Sequence, residues 1–106
     1  MAPPRRIAAI DIGSNSVRQI VADVTSDGVI TVVDEMKEAP RLGADLDGSG
    51  QLGAQSMERA AQAIGRMATL ARQLGATRVE AVATSAVRDA ANAEEFIAKV
   101  TQEADL

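Results

Sequence analysis

The chain contains no cysteine, histidine, tryptophan or tyrosine, and Phe96 is its only aromatic residue. Without cysteine there can be no disulfide and no zinc–thiolate site, and without histidine the usual general base and the usual metal ligand are missing. The core must therefore be built from alanine, valine, isoleucine, leucine and methionine. Any chemistry must rest on carboxylates, arginines and backbone amides.

The chain also lacks an excess of positive charge and a long apolar segment. Its formal net charge is −4 at pH 7, which argues against a broad electrostatic surface for nucleic acid or an anionic membrane. Two arginines lie near the N-terminus, but no apolar stretch follows them that would make a signal peptide or a membrane span. We therefore expect a cytoplasmic protein that binds neither nucleic acid nor membrane and holds any anion locally.

What is present has the composition of one globular domain, with 106 residues of which 46% are hydrophobic and 25% charged. Apolar and β-branched runs predict an antiparallel three-strand meander, with strands at Ile7–Ile12, Val17–Val24 and from Val29 onward to about Lys37. The pair Asp27-Gly28 predicts a tight hairpin, because it supplies the positive backbone angles that such a turn needs.

A glycine-rich loop separates this meander from two helices and one more strand. Apolar residues recur at helical spacing over residues 55–74, and Gly75 follows as a left-handed stop. Alternation over Arg78–Ala83 predicts a short strand with a parallel partner in the meander. Asn92 with Glu95 resembles a capping box, so the last helix begins there. The predicted buried faces consist of Met57, Ala60, Ala61, Ile64, Met67, Ala68, Ala71 and Leu74 in the first helix, and Ala93, Phe96, Ile97, Val100 and Ala104 in the last.

The sharpest motif is the run Asp11-Ile12-Gly13-Ser14-Asn15-Ser16, where a strand ends and the chain turns back. Gly13 has no side chain to keep a ligand away, and the amides of the next three residues can converge on an oxyanion. We expect Asp11 at the end of a buried strand. Because like charges repel, it cannot bind phosphate directly, so its role is to hold a hydrated divalent cation or to position water. An ordinary polar β-turn is the alternative.

Two acidic patterns give weaker evidence for a functional site. The stretch from Asp45 to Gly50 imitates the start of an EF-hand calcium loop, but the twelfth position is Ser56 rather than glutamate. We interpret this stretch as a turn-rich loop. Glu94 and Glu95 are adjacent in a helix and do not face one another, so they are first-turn acids rather than a catalytic pair.

The segment Ala9–Arg18 resembles the first phosphate loop of the exopolyphosphatase and guanosine pentaphosphate phosphohydrolase family, within the actin, Hsp70 and sugar kinase superfamily. The resemblance continues through Arg41-Leu42-Gly43, Gly50-Gln51-Leu52, Val82–Arg88 and Asn92–Phe96. It implies an α/β, ribonuclease-H-like subdomain: an antiparallel three-strand meander, a parallel strand and two main helices, truncated before the last strand. Residues 1–106 would then be the N-terminal part of the first lobe of a two-lobed phosphatase.

The resemblance implies removal of a terminal phosphate from inorganic polyphosphate or guanosine pentaphosphate, with Mg²⁺ as the cofactor. Asp11 would lie beside metal and water, Gly13–Ser16 would hold phosphate, and Arg18 and Arg88 would contact the anionic substrate. Arg88 also has an argument of its own. It lies just past a strand's end, at the start of a helical stretch, where ligands of open α/β sheets collect, and its guanidinium matches phosphate oxygens.

In such a family the general-base glutamate and a second glycine-rich loop would come after Leu106, so no catalytic residue would lie within this chain. We therefore expect the chain by itself to be inactive. The strand over Arg78–Ala83 would have an unpaired edge, and we expect either a homodimer or other self-association through it, or local disorder. Two alternatives stay open: a kinase or ATPase of the same superfamily, and a non-catalytic phosphate-binding or interaction module.

Overall fold

The computed structural model describes residues 3–43 and 50–106, and across these residues a four-stranded mixed sheet carries helices on one face. The strands are β1 (Arg5–Ile12), β2 (Val17–Val24), β3 (Ile30–Glu38) and β4 (Arg78–Ala83), and the helices are α1 (Ala54–Gln73), α2 (Ser85–Arg88) and α3 (Ala93–Ala104). The first five positions of the EF-hand-like stretch lie outside the described residues.

The sheet has the strand order β3-β2-β1-β4. The pairs β1–β2 and β2–β3 are antiparallel, whereas β4 runs parallel to β1. Both the three-strand meander and the parallel partner of β4 were predicted from the sequence, and both are confirmed. Within the described part of the chain, β4 pairs only with β1, so its outer edge is unpaired.

The strands alternate between a covered face and an open face. On β1, Ala8, Ile10 and Ile12 are buried beneath the helices, while Ala9 and Asp11 between them are exposed. We call the surface that carries Ala9 and Asp11 the open face, because no described helix packs on it. Cross-strand partners share a face, so the register of the sheet shows which side chains lie beside each other there.

The turn between β2 and β3 differs from the predicted tight hairpin. Gly28 donates its N–H to the carbonyl of Thr25, and the N–H of Thr25 pairs with the carbonyl of Val29, each at 3.0 Å. Gly28 has a positive φ of 89° but Asp27 does not. The connection is therefore a type I turn closed by a left-handed glycine, and only the glycine of the Asp27-Gly28 pair supplies a positive backbone angle.

Helix α1 ends on the predicted glycine. Gly75 has a φ of 95° and donates its N–H to the carbonyl of Arg72, while Ala76 donates to Ala71. These two bonds make a Schellman motif, which satisfies carbonyls that the helix itself leaves unpaired. Leu74, which we expected on the buried face, is 37% exposed because it lies at the C-cap, beyond the last helical turn. No helix in the described ranges is both long and apolar enough to cross a bilayer.

Helix α3 begins at the predicted place for a different reason. Asn92 makes no capping hydrogen bond, so the predicted capping box is wrong. Its side chain instead accepts the N–H of Leu52 at 2.7 Å and donates to the carbonyl of Leu52 at 2.9 Å. Phe96 is buried in the core, as expected. Ile97 is 54% exposed, contrary to prediction, because it borders a groove beside the free edge of β4.

The two long helices approach each other closely at Gly65. A Cβ added at this glycine would lie 3.1 Å from the carbonyl oxygen of Glu103 in α3. Alanines make up half of the buried positions of these two helices, and these small side chains let the helices pack closely.

Candidate functional site

The residues between β1 and β2 form the tight turn that the sequence predicted. Gly13 donates its N–H to the carbonyl of Ser16 at 2.9 Å, directly after β1 and before β2. A Cβ on residue 13 would lie 3.0 Å from the same carbonyl oxygen. Glycine is therefore needed here for space, and the prediction of a turn between two antiparallel strands is confirmed.

The segment after β3 lies against this turn. Gly43 donates its N–H to the carbonyl of Ser14 at 2.7 Å, and Arg41 donates to that of Asn15 at 3.2 Å. Leu42 between them is fully buried, which anchors the segment to the core. Arg41 has a φ of 54°, in the left-handed region, a conformation that costs a non-glycine residue about 1–3 kcal/mol. The strained residue is thus the one whose backbone contacts the turn.

Three amides of the turn have no hydrogen-bond partner among the described residues, whereas carbonyls in and next to the turn do have partners. Thr84 donates its N–H to the carbonyl of Ile12 at 3.0 Å, which joins the end of β4 to the start of the turn. By contrast, the amides of Ser14, Asn15 and Ser16 donate no hydrogen bond to any residue of 3–43 and 50–106. The turn residues are exposed or half-buried. Three such N–H groups in succession can bind an oxyanion.

Asp11 lies on the open face one residue before the end of β1. It is exposed, so the expectation of a buried strand end is wrong, because the alternation of β1 turns this residue away from the helices. It is the cross-strand partner of Arg18 on one side and of Val82 on the other. Asp11 and Arg18 nevertheless form no ion pair within the described structure. Both side chains are therefore available to a ligand beside the turn.

The donors near Asp11 suit one kind of metal site. In the described part of the chain, no three acidic side chains come together to make a complete protein site. Magnesium often takes only one or two carboxylates and completes its shell with water and the phosphates of the substrate. A single exposed carboxylate next to free amides matches that donor set.

Arg88 lies at the same end of the sheet but around the edge of β4. It is the last residue of the four-residue helix α2 and lies five positions after the end of β4. Its side chain is exposed and borders a groove of about 630 Å³ between β4 and α3. The structure thus brings the turn, Asp11 and Arg18 together, whereas Arg88 reaches this end of the sheet from the neighbouring groove.

Basic side chains without a partner collect at this end of the fold. Six of the eleven basic residues bond through their side chains to described acids, carbonyls or hydroxyls. The other five have no side-chain partner within residues 3–43 and 50–106, namely Arg5, Arg18, Lys37, Arg41 and Arg88. All except Arg5 lie at or beside the turn end of the sheet.

The sequence reasoning missed two of these cations, Lys37 and Arg41. Lys37 is the cross-strand partner of Arg18 and is exposed on the open face. The register of β3 was the signal that could have identified it. The approach of Arg41 to the turn is a tertiary contact that local sequence patterns do not encode.

The far end of the sheet is held by an ion pair. Arg6 donates two hydrogen bonds to the carboxylate of Asp23, at 2.8 and 3.0 Å, and a third to the carbonyl of Leu74 at 2.8 Å. The hydrogen bond from Arg6 holds the pKa of Asp23 below its ordinary value. This pair has a structural role and is remote from the turn, since it lies at the other end of β1.

Comparison with known proteins gives the same family in three ways. The model of the Ppx/GppA phosphatase family matches residues 20–106. An exopolyphosphatase of Mycobacterium tuberculosis is 34% identical over 98 residues, which cover 92% of this chain and 28% of that protein. An exopolyphosphatase of Mycobacterium leprae is 32% identical, over 92% of this chain and 29% of that protein.

Solved structures agree with this result. A Ppx/GppA family member from Aquifex aeolicus superposes with a TM-score of 0.91 at 38% identity, covering 98% of this chain and 34% of that one. An exopolyphosphatase from Cytophaga hutchinsonii gives a TM-score of 0.87 at 25% identity, covering 96% and 32%. The chain therefore spans about a third of the length of the relatives it matches.

Proposed function

The chain belongs to the Ppx/GppA phosphatase family, and from this premise we propose that it supplies the first phosphate-binding loop of a phosphohydrolase. The substrate that we propose is inorganic polyphosphate or guanosine pentaphosphate, from which a terminal phosphate is removed. The observation that carries the proposal is the turn over residues 13–16, whose three free amides lie between two strands. The names of the relatives favour a phosphatase over the kinase or ATPase alternative.

In this proposal the turn binds a phosphate oxygen through the amides of Ser14, Asn15 and Ser16. The absence of a side chain at Gly13 lets the ligand approach the backbone. Arg18 contacts the same anion from the open face, and Arg88 contacts the substrate from the side of the groove. Backbone amides and guanidinium groups both gain strength when the acceptor is charged.

We assign the metal role to Asp11. Its exposed carboxylate would hold a hydrated Mg²⁺, which when bound neutralises charge on the phosphate oxygens. Asp11 itself would orient water in the metal's shell and would not touch phosphate. Replacement of Asp11 by asparagine should therefore weaken magnesium-dependent binding of phosphate while leaving metal-free binding almost unchanged.

We propose that the 106-residue chain binds phosphate but does not hydrolyse it. The chain spans 28% of a curated relative. The only acidic residue that we place beside the turn is Asp11, and we assign it to the metal rather than to the activation of water as a general base. The purified chain should release no phosphate from polyphosphate in the presence of Mg²⁺. Turnover that survives purification and disappears in the Asp11→Ala variant would show that the general base lies within these residues.

Binding is tested by nuclear magnetic resonance titration with inorganic triphosphate. The amide signals of Gly13, Ser14, Asn15 and Ser16 should shift first, and the variant Arg88→Ala should bind more weakly. Arg72→Ala is the matched control, because Arg72 lies at the C-terminal end of α1 and bonds to the carbonyl of Asp105. If the turn amides stay unchanged at saturating triphosphate, the loop is an ordinary β-turn.

We further propose that two copies of the chain associate through the outer edge of β4. This edge is unpaired within the described residues, and Val82 beside it is 64% exposed. Unpaired strand edges are templates for pairing with another chain. Amide exchange of Arg78–Ala83 should slow as protein concentration rises. A monomer at all concentrations, with fast exchange on that edge, would contradict the dimer. The cytoplasmic location and the absence of nucleic-acid binding stay predictions.

A further inference from the structure

We propose that Lys37 and Arg41 form a second anion subsite, which binds phosphates of a polyphosphate chain beyond the phosphate held by the turn. The inference rests on the proposed function and names its substrate class as a chain-like polyanion. Neither residue was assigned a role from the sequence. Lys37 is the penultimate residue of β3, and Arg41 lies three residues after the end of that strand.

The position of Lys37 is fixed by the sheet register. Lys37 lies directly across from Arg18, which in turn lies directly across from Asp11. Cross-strand partners have Cβ atoms about 5 Å apart, so the ammonium and guanidinium groups share one small area of the open face. Like charges placed directly opposite each other destabilise a sheet. An anion bound between Lys37 and Arg18 removes that cost.

Arg41 is held beside the turn by a backbone hydrogen bond. Its backbone N–H is bonded to the carbonyl of Asn15 at 3.2 Å, so its Cα lies against the turn itself. The side chain is exposed and has no partner among the residues that the structure describes. The residue holds a left-handed φ of 54°, a strain that is typical of functional segments.

The two acids nearest to these cations in the sheet register form no ion pair with them. Asp11 shares the row of Lys37 on the open face, and Glu35 lies two residues before Lys37 on the same side of β3. Neither acid forms an ion pair with Lys37 or Arg41 in the described structure. By contrast, Glu38 on the covered face is paired with Arg66 at 2.7 Å. In a chain of net charge −4, free cations at one end of the sheet form a local site for anions.

A row of separated cations binds a long polyanion better than a short one. Each phosphate contact releases counterions, so affinity for a polyanion falls steeply with salt in proportion to the number of contacts. A single phosphate group in the turn needs only the amides and Arg18. Lys37 and Arg41 therefore contribute when the ligand is long enough to leave the turn and reach them.

The test compares long-chain inorganic polyphosphate with inorganic phosphate, a single group that occupies the turn alone, in the natural protein that carries this sequence. The variants are Lys37→Gln and Arg41→Asn, since asparagine tolerates a left-handed backbone. Each should weaken binding of long-chain polyphosphate by about fivefold and lower the salt dependence, while binding of inorganic phosphate changes less than about twofold. The conservative variant Lys37→Arg should restore most of the affinity.

Arg5→Ala is the matched control, because Arg5 is also exposed and also lacks a described side-chain partner. It lies six residues before Asp11 on β1, which places it about 20 Å away. Its removal subtracts the same charge and should leave both affinities within about twofold.

Four outcomes decide between these possibilities. Loss of long-chain affinity in the two variants, but not in Arg5→Ala, supports the subsite. If the wild type binds both ligands and all variants keep the same preference for length, the subsite is wrong and the proposed function stands. If the wild type binds neither ligand, the proposed function fails and the subsite fails with it. If Arg5→Ala loses as much affinity for long-chain polyphosphate as the two variants do, the loss follows from the change in net charge alone, and the proposal is wrong.

Discussion

Replacement of Gly13 by alanine tests the proposal that the turn binds phosphate. The added Cβ would lie 3.0 Å from the carbonyl oxygen of Ser16, whereas ordinary contact begins near 3.4 Å. The oxygen must therefore retreat by about 0.4 Å. It also accepts the N–H of Gly13 at 2.9 Å, and that bond would lengthen to about 3.3 Å, outside the normal range.

The expected loss of stability is modest and the expected loss of binding is larger. A weakened backbone hydrogen bond costs about 1 kcal/mol, and Gly13 has no positive φ that alanine would strain. The next three amides, however, would rotate with the displaced carbonyl. We expect triphosphate to bind about tenfold more weakly, which corresponds to about 1.4 kcal/mol. Urea unfolding measures the first effect and isothermal calorimetry the second.

Gly28→Ala is the control that separates the two effects. Gly28 has a φ of 89° and no atom near its added Cβ, so alanine costs about 1 kcal/mol through the backbone alone. It lies at the far end of β2 from the turn. The control should lose similar stability and keep its affinity for triphosphate. If Gly13→Ala binds as tightly as the wild type, or Gly28→Ala loses as much affinity, the steric argument for the turn is refuted.

The remaining predictions concern the frame that supports the turn. Phe96→Ala should lower the free energy of unfolding by about 3 kcal/mol or more, measured in urea, because it removes a buried aromatic side chain from the core. Asn92→Ala should cost about 1–3 kcal/mol and speed amide exchange at Leu52, whose N–H and carbonyl lose their partner. The pKa of Asp23 is lowered by Arg6, so its contribution is present above the unfolded pKa of about 3.9 and is lost as pH falls through the folded value. Stability of Asp23→Asn should therefore change less between pH 7 and pH 2 than that of the wild type; an equal change would contradict the pairing.

Much of the fold could be predicted because β1, β4 and the two long helices alternate between more buried and more exposed positions. The alternation of Arg78–Ala83 set the bounds of β4 correctly, and the helix predicted over residues 55–74 is displaced from α1 by a single residue. The antiparallel meander and the parallel partner of β4 followed from the short turns between the strands and the helical crossover. These features depend on residues close together in the sequence, so patterns within a single segment predict them.

The errors occur where a tertiary contact replaces a local one. Asn92 has the sequence of a cap, but Leu52 offers its side chain two backbone partners. Ile97 continues the apolar stripe of α3, yet it faces a groove rather than the core. Asp11 follows an apolar run, but the period of two turns it to the open face.

The candidate site was predicted only in its local part. The turn over residues 13–16 could be read from one strand end, one glycine and three small polar residues. Lys37 and Arg41 could not, because their proximity depends on the register of β3 and on a segment that folds back over the turn. The roles of all these residues as ligands of phosphate are proposals that the experiments above address.

The hydrogen bonds that hold the turn in place have a consequence for how the chain folds. The turn is closed by neighbours in sequence, but two of its carbonyls accept hydrogen bonds from Arg41 and Gly43, and the carbonyl of Ile12 just before it accepts one from Thr84. The last of these lies about seventy residues away and arrives only when β4 pairs in parallel with β1. Contacts between residues so distant in sequence form slowly. The long loop between them must close first, and this closure costs conformational entropy before the contact can stabilise the fold. We therefore expect the turn to be among the last parts of the domain to become rigid. A ligand that binds it should slow unfolding without speeding folding.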